Sequence, residues 1–494
     1  MDESPVSEDA APIAQKTARG IFWNFLAYGL SKAVILFTTT ILARLLTVED
    51  FGLVAFAVVA INYLGVIKDL GLGMALIQRR GDVNEAAHTV FTLNIIFGVF
   101  LSAILILLAP ILAGYIAPDS QATAAQVVPV LRWLGLSFFI SAIGSVHVVW
   151  LMRELDYKRK LIPDIASALI KGVVSISLAY AGYGVWALVI GQLSGALSSV
   201  ILFWVIVPWR PRWRLDRTVM RSLLKYGFSI IGGDLLSVSI DNLGYIIIAS
   251  MFGLAQLGIY SQAYRLPEML LIGNLWIIAN VTFPAFANIQ EKPDELRRGF
   301  LASVRLVQMA AVPICLGLII TADPLIRVWL GEQWLAAIPI LRVLALYALV
   351  TSIAYHIGDI YKAVGRPDIL LKLSLLTLLL MIPVALFGSR FGLIGIAWGY
   401  VIAIFIDRVV GILVATRFIK ITLMDIFNEM TPSIKGGLAM LVVTLPILFF
   451  SVNVHPFIQL SILILSGAAS YLGVLWWTER ENIIQLIRLI RKPA

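Results

Sequence analysis

Residues 128–139 read VPVLRWLGLSFF, and residues 338–349 read IPILRVLALYAL, so that Pro, Leu, Arg and Leu recur at an offset of 210. Three further pairs keep the same order at offsets of 204 to 208: DFGLVAFA (50–57) with QLGIYSQA (256–263), IPDI (162–165) with RPDI (366–369), and YGVWALVIGQ (183–192) with FGLIGIAWGY (391–400). Such spacing indicates a duplicated unit of roughly 200 residues that runs in the same direction both times.

The composition around these repeats is that of a membrane protein. The chain has 494 residues, of which 60% are hydrophobic and only 14% are charged, whereas soluble domains have about 45–50% and about 25%. Apolar runs long enough to cross a hydrocarbon layer of about 30 Å recur from end to end. They lack the two-residue alternation of barrel strands, so we predict an all-α polytopic membrane protein.

We predict fourteen transmembrane helices arranged as two lobes. An N-lobe covers 20–207 and a C-lobe covers 222–418, with a basic linker at 208–221 between them. Two extra helices lie in 419–477, and tails occupy 1–19 and 478–494. The repeat predicts two six-helix bundles related by a pseudo-twofold axis around a central cavity. The helices are expected near 20–43, 51–76, 88–115, 128–152, 162–181, 184–207, 223–250, 257–287, 300–321, 337–361, 368–388, 391–416, 436–453 and 457–477.

The 38 Lys and Arg residues predict the orientation of these helices. Alternate loops hold most of them, and only Arg44, Arg327 and Arg390 fall on the opposite side. Cytoplasmic loops of membrane proteins collect basic residues, so both termini are predicted to be cytoplasmic. The net charge of +9 is then spread over short loops, which argues against a nucleic-acid partner.

The C-terminal tail has an amphipathic pattern. Ile483, Leu486, Ile487 and Ile490 share one helical face, with basic residues beside it. We expect this segment to lie on the anionic inner leaflet, so membrane lipids are predicted partners.

Signals for enzymatic chemistry are absent from the sequence. It contains no GxxxxGK, HExxH or GxSxG motif, and the predicted outer loops are too short for a catalytic domain. A single cysteine, Cys315, permits neither a disulfide framework nor a thiolate metal site. We therefore predict neither an enzymatic centre nor a cofactor or bound metal.

Charged side chains inside the predicted helices point to a polar pathway, because each costs about 2.5–3.5 kcal/mol at a helix centre. Helical spacing places several of them on polar stripes with tyrosines and amides. The predicted substrate-binding residues are Asn24, Tyr28, Lys32, Asn62, Lys68, Tyr264 and Arg265. The predicted cation-coupling residues, for Na⁺ or H⁺, are Asp234, Asp241 and Asp359.

Structural roles are the alternative for some of these charges. Arg265 and Glu268 are three residues apart and could form a satisfied pair, and Lys68 and Asp69 could each pair with another helix. Lys171 could face a neighbouring helix.

Three stretches resemble a known family: TVEDFGLVAFA (47–57), DLGLGMALIQ (69–78) and LGIYSQAYRLPEMLL (257–271). They resemble the polysaccharide transporter branch (Wzx-like) of the multidrug/oligosaccharidyl-lipid/polysaccharide flippase superfamily, and the likeness covers about 17–480. The resemblance implies two six-helix bundles, a central cavity and, in some members, two further helices.

The resemblance also implies a function. Members of this branch flip undecaprenyl-pyrophosphate-linked oligosaccharides across the bacterial inner membrane for lipopolysaccharide or exopolysaccharide assembly. Polysaccharide polymerase and export machinery are the protein partners it suggests, and alternating access is the expected mechanism, driven by an ion gradient or by the membrane potential. The alternatives are a multidrug exporter of the same superfamily and a membrane glycan polymerase or ligase.

Overall fold

The computed structural model describes residues 10–69, 71–79, 82–116 and 121–480. Within these ranges the chain forms sixteen α-helices, a π-helical turn at Glu268–Ile272 and 3-10 turns at Glu332–Trp334 and Ser389–Phe391. The helices are α1 Ala10–Leu45, α2 Val48–Asp69, α3 Leu72–Gln78, α4 Val83–Ile116, α5 Gln121–Arg153, α6 Tyr157–Tyr180, α7 Val185–Ile206, α8 Arg217–Pro267, α9 Gly273–Asn288, α10 Pro293–Trp329, α11 Ala337–Ser352, α12 Ile357–Ala363, α13 Pro367–Gly388, α14 Gly392–Ile419, α15 Leu423–Phe450 and α16 Pro456–Thr478. The predicted tail at 478–494 lies almost wholly outside the described residues.

Twelve stretches of the described chain are long and apolar enough to cross a membrane. Two of these stretches are double. Ile231–Asn288 holds two helical limbs that meet at Gly253, where φ is 80°, and Pro367–Ile419 holds α13 and α14. Dividing both gives the fourteen spans that the sequence predicts, and the all-helical membrane fold is confirmed.

Several helices differ in extent from the prediction. The second predicted helix, 51–76, stops at Asp69 and resumes as α3, because Gly71 adopts the left-handed conformation (φ 60°) that interrupts a helix. The tenth, 337–361, breaks after Ser352, and Ala354 there has a φ of 52°. At other ends the helices are longer than predicted: α1 begins at Ala10, and α15 begins at Leu423.

The chain divides into two compact units whose boundary lies inside α8. The first unit runs to Val238 and includes 252–255, and the second comprises Ser239–Met251 and the chain from Gln256 onward. The basic linker predicted at 208–221 is therefore part of the first unit. The pseudo-twofold relation and the central cavity stay predictions.

In the first unit, α4 packs along α5, and α6 packs between α1 and α7. Small residues allow these contacts. A Cβ placed on Gly98 of α4 would lie 3.0 Å from the carbonyl oxygen of Phe138 in α5. Since helices in lipid gain little from the hydrophobic effect between them, close backbone approach at glycines is a main source of packing energy.

The connector at 207–216 is fastened to α4. The ring of Trp209 stacks on His88 (centroids 5.2 Å apart), and its indole nitrogen donates to Asn84 Oδ1 at 2.7 Å. Three alternate backbone amides donate to side chains of α4: Arg212 to His88 Nδ1 (3.1 Å), Arg214 to Thr92 Oγ1 (3.3 Å) and Asp216 to Thr89 Oγ1 (3.2 Å). The connector is thus held in an extended conformation.

Asp216 ends the connector and caps α8. Its carboxylate accepts hydrogen bonds from the Thr218 hydroxyl and from the backbone amides of Thr218 and Val219. These hydrogen bonds, chiefly that of the Thr218 hydroxyl, hold the pKa of Asp216 below its ordinary value.

In the second unit, ion pairs attach the two extra helices to α10. Arg305 of α10 contacts Glu429 of α15 at 2.6 Å and Glu479, at the end of α16, at 3.4 Å. The Tyr471 hydroxyl of α16 donates to the Met309 carbonyl at 3.0 Å. The ring of Tyr471 also lies against Gly436, where a Cβ would come within 2.8 Å. Helices α10, α15 and α16 therefore form one packed group.

Candidate functional site

A cavity of about 540 Å³, with polar and apolar lining residues, lies inside the first unit. Its walls come from α1, α5, α6 and α7, and its volume is within the range of about 300–1,000 Å³ that is usual for small-molecule sites. The polar side chains that line it include Ser31, Ser141, Lys160, Asp164, Lys171 and Gln192. Two ammonium groups thus face the cavity against one carboxylate.

Glycines bring the walls of this cavity together. A Cβ on Gly195 of α7 would lie 2.9 Å from the Ser167 carbonyl oxygen of α6, and one on Gly172 of α6 would lie 2.5 Å from Thr38 Oγ1 of α1. Because these backbones touch, α6 has little freedom to rotate. The close contact also fixes where Lys171 begins, since its Cβ lies 3.0 Å from the Cβ position of Gly195.

The charged residues of the cavity lie along one face of α6. Lys160, Asp164, Ser167 and Lys171 follow the spacing i, i+4, i+7 and i+11, which places them on one stripe. Lys160 forms an ion pair with Asp164 at 2.7 Å. Lys171 donates to the side-chain oxygen of Gln192 on α7.

Predicted binding residues lie next to this cavity. Tyr28 lines it, and the Lys32 ammonium is 5.1 Å from the centre of the Tyr28 ring. Lys68 of α2 donates to the hydroxyl of Ser141, a wall residue, at 2.8 Å. The structure therefore brings Tyr28, Lys32 and Lys68 together around one cavity.

The other predicted residues of the first unit are not among the residues that line the cavity. Asn62 and Asp234 are exposed on α2 and α8. Asn24 lies on α1 and Asp69 ends α2, and both side chains fall outside the described part of the structure.

The second unit holds a cluster of five tyrosines. Consecutive ring centres are 5.6–6.5 Å apart along the chain of contacts Tyr245, Tyr260, Tyr264, Tyr347 and Tyr400. The rings come from α8, α11 and α14. The predicted Tyr264 is thus one member of a larger aromatic surface, and Arg265 beside it donates to Gln262 at 3.3 Å. Asp241 is exposed on the same helix.

Asp359 lies in the first turn of α12, just after the break that follows α11. Its carboxylate contacts His356 Nδ1 at 3.1 Å and Lys362 at 3.2 Å, and it accepts a hydrogen bond from the Thr282 hydroxyl at 3.1 Å. Asp359 and His356 are both buried. This carboxylate is already surrounded by protein partners.

Sequence reasoning missed several residues of these two sites, among them Lys160, Asp164, Gln192 and Tyr347. Lys160 and Asp164 were assigned to a loop and a helix end, Gln192 carried no charge to attract notice, and Tyr347 belonged to the repeat. The stripe on α6 could have revealed the first two. Lys171 was singled out as facing a neighbouring helix, and its hydrogen bond to Gln192 confirms that placement. Within the described ranges, no group of three or more His, Cys, Asp or Glu side chains could hold a metal ion.

Comparisons with known proteins identify the family of this chain and other proteins that share its fold. A family model described as polysaccharide biosynthesis protein matches residues 41–339. The teichuronic acid biosynthesis protein TuaB of Bacillus subtilis (strain 168) is 26% identical over 485 residues, which cover 96% of this chain and 98% of TuaB.

Two solved structures share the fold. The lipid II flippase MurJ in an inward closed conformation has a TM-score of 0.72 at 16% identity, covering 94% of this chain and 100% of MurJ. A multidrug resistance transporter of the MOP superfamily in an inward-facing conformation has a TM-score of 0.68 at 16% identity, covering 80% of this chain and 94% of its own. The fold thus occurs in proteins named for different substrates. The family resemblance predicted from the sequence is confirmed.

Proposed function

Because the chain belongs to the polysaccharide biosynthesis protein family, we propose that it is a flippase for lipid-linked oligosaccharide rather than an enzyme. The substrate in this proposal is an undecaprenyl-pyrophosphate-linked oligosaccharide, which moves from the cytoplasmic to the outer leaflet of a bacterial inner membrane. The observation that carries the proposal is the cavity of the first unit, whose lysines lie in helices that span the membrane. Basic residues in membrane-spanning helices that face a cavity mark pathways for anions.

The physical task explains why such residues are needed. A pyrophosphate that leaves water loses its hydration, and ammonium and hydroxyl donors replace it. Sugars present both hydroxyls and apolar ring faces, and tyrosines offer an aromatic face with a polar tip. The lysines of the first unit suit the pyrophosphate.

A multidrug exporter is the nearest rival. Such a protein takes cationic drugs, and a cavity with two ammonium groups against one carboxylate repels them. A panel of cationic drugs tested on a deletion strain distinguishes the two functions. Unchanged susceptibility is the result expected for the flippase.

Energy for directed transport is available from the membrane potential. With the cell interior negative, outward movement of two negative charges gains about 4.6 kcal/mol per 100 mV, at about 2.3 kcal/mol per charge. Coupling to Na⁺ or H⁺ is a further part of the proposal. Asp234, Asp241 and Asp359 are the carboxylates proposed for it, of which the first two are exposed and the third is buried.

The test is to locate the lipid-linked sugar after deletion of the gene. Inside-out and right-side-out vesicles from the deletion strain are treated with a membrane-impermeant glycan-labelling reagent. Accumulation confined to the cytoplasmic leaflet is expected. Accumulation in the outer leaflet would instead identify a polymerase or ligase and overturn the proposal.

A further inference from the structure

The cavity of the first unit has the chemistry of a diphosphate site. We propose that Lys160, Lys171, Gln192 and Ser31 bind the diphosphate group of the substrate, so that the anion is held within the first unit by residues of α1, α6 and α7. This inference rests on the proposed function, because it names the residues that hold the charged part of that substrate.

Several hydrogen-bond donors that suit a diphosphate line the cavity. Each lysine ammonium carries three N–H donors. Gln192 accepts from Lys171 through its oxygen, so its amide nitrogen is the end that can donate to a ligand. Serine hydroxyls add further donors. Charge-assisted hydrogen bonds from ammonium groups to phosphate oxygens are among the strongest that proteins make.

Ser31 supplies an independent sign of a ligand. Ser31 is one of the residues that line the cavity, and its buried hydroxyl oxygen has no hydrogen-bond partner among the described residues. Buried hydroxyls are normally satisfied, and one that is not asks for a bound water or ligand. An oxygen of a diphosphate inside the cavity would accept from Ser31.

The lining residues of α6 and α7 show how far the cavity extends along these helices. In α6 the lining residues run inward from Lys160, in the first turn, to Lys171. Eleven residues span about 16 Å at 1.5 Å per residue. In α7, which runs the opposite way, the lining begins at Gln192 and reaches Phe203, close to the end at Ile206. The cavity therefore extends from the end of the unit where α6 begins toward the middle of the membrane.

Apolar residues occupy the rest of the lining. Ile35, Val148, Val200 and Phe203 face the cavity together with the polar groups. A site for a small cation would need oxygen ligands on several sides, whereas the charged groups here are two lysines and one aspartate, and that aspartate is paired with Lys160. The lining thus favours an anion in a partly apolar setting, as a prenyl diphosphate presents.

The test uses the purified full-length protein in detergent with inorganic pyrophosphate as the probe. Binding is measured by isothermal titration calorimetry and by the rise in Tm, with sulfate as a reference anion. We expect Lys171→Gln and Lys160→Gln each to weaken pyrophosphate binding about tenfold or more, because each removes charge-assisted hydrogen bonds. Ser31→Ala should weaken it by a smaller factor, and Lys171→Arg should restore part of the affinity.

Lys158 provides the matched control. It lies on the same helix two residues before Lys160, is exposed, and has its ammonium 5.6 Å from the ring of Trp23 instead of in the cavity. Lys158→Gln removes the same charge and should leave pyrophosphate affinity unchanged. Tm values without ligand identify any variant that is misfolded, and Ser31→Ala keeps the test decisive if a lysine variant is unstable.

A second arm identifies the source of the diphosphate. A short-chain prenyl diphosphate that binds wild type more tightly than inorganic pyrophosphate, and loses that binding in Lys171→Gln, identifies the lipid carrier. Equal affinity for the two probes identifies a free diphosphate at the same residues.

Failure of this inference is separate from failure of the proposed function. Equal pyrophosphate binding by wild type, Lys160→Gln and Lys171→Gln would overturn the site, and glycan export by these variants would then show that the flippase works without it. If the deletion strain shows no accumulation in the cytoplasmic leaflet, the proposed function itself fails.

Discussion

Gly191 in the first unit and Gly399 in the second hold matching positions in the repeated stretches 183–192 and 391–400. Both lie where another helix backbone comes close. A Cβ on Gly191 would be 3.0 Å from the Lys171 carbonyl oxygen, and one on Gly399 would be 2.9 Å from that of Val384. Both units therefore have a close helix contact at this glycine, but with different partners, because the IPDI/RPDI repeat aligns Lys171 with Leu375 and not with Val384.

The side chains beside these glycines differ between the units. The residue after the glycine is Gln192 in the first unit, which faces the cavity, and Tyr400 in the second, which belongs to the tyrosine cluster. The repeat IPDI/RPDI aligns Lys171 with Leu375, which is exposed. The matching positions thus share a glycine at a helix contact, whereas the residues beside them are Lys171 and Gln192 at the cavity of the first unit and Leu375 and Tyr400 in the second.

A second contrast concerns the repeated stretch that starts at 128 and at 338. In the first unit it belongs to α5, which continues to Arg153. In the second unit the helix ends at Ser352, and the break carries the cluster of His356, Asp359 and Lys362. In the first unit the continuous helix α5 contributes to the cavity wall. In the second unit the interrupted helix is followed by a cluster of ionisable residues in which His356 and Asp359 are buried.

The largest effect is expected from giving the first unit the residues of the second. Lys171→Leu combined with Gln192→Tyr removes the ammonium and fills the cavity with a ring. We expect glycan export to fall on the order of 100-fold, because two polar contacts worth about tenfold each are lost. Export is measured as surface polysaccharide in a complemented deletion strain, with protein level checked by immunoblotting.

The control for this exchange is Leu375→Met in the second unit, at an exposed position. Its export should match wild type. Normal export by the double variant at normal protein level would show that the difference between the units has no bearing on transport.

The sequence predicts much of this comparison, but not all of it. Repeat offsets, apolar runs and the distribution of Lys and Arg are properties of the chain itself, so the fourteen spans follow from them. The breaks at Gly71 and Ala354 were missed because a short interruption leaves the hydropathy of a helix unchanged.

Side-chain partners were harder to predict than helices. Lys160 pairs with Asp164 across one helical turn, which local spacing predicts. The partners of Lys68 and Lys171 lie 73 and 21 residues away in sequence. Which helices are neighbours decides such contacts, and spacing within one helix does not determine neighbours.

The next effect concerns α15 and α16, which have no counterpart in the first unit. Arg305→Ala leaves Glu429 and Glu479 near each other without their shared base. We expect a loss of about 2 kcal/mol in the free energy of unfolding, below the 3–5 kcal/mol of a fully buried pair because Arg305 is 33% exposed. Equilibrium unfolding in detergent with urea measures it.

Arg298→Ala is the control for that measurement, since Arg298 lies on the same helix and its side chain contacts only the Asp294 carbonyl among the described bonds, at 3.4 Å. A change within about 0.5 kcal/mol is expected there. An equal loss in both variants would mean that the ion pairs do not hold the extra helices.

A smaller effect tests the shared glycines. Gly191→Ala and Gly399→Ala each crowd a neighbouring helix at a cost of about 1–3 kcal/mol, offset by about 1 kcal/mol of helix propensity. The nearest atom to a Cβ on Gly191 is the Ser175 hydroxyl oxygen, whereas on Gly399 it is a backbone carbonyl oxygen. Adding Ser175→Ala should therefore restore the Tm of Gly191→Ala. Failure of this rescue would place the Gly191 clash on the backbone, as at Gly399.

The smallest effect compares the segments that enter α8 and α15. Asp216 caps α8, and a reciprocal pair of Thr422 and Asp425 caps α15. The pKa of Asp216 is lowered by the hydrogen bonds it accepts, chiefly from the Thr218 hydroxyl. The ionised cap therefore stabilises α8 fully above the ordinary aspartate pKa of about 3.9, and its contribution is lost as the pH falls through the lower folded-state pKa.

Hydrogen exchange at the amides of Thr218 and Val219 should accelerate in Asp216→Ala at neutral pH, while the amide of Asp425 should keep its wild-type rate. Equal acceleration at both caps would mean that the two helix starts are coupled and that the connector does not act on α8 alone.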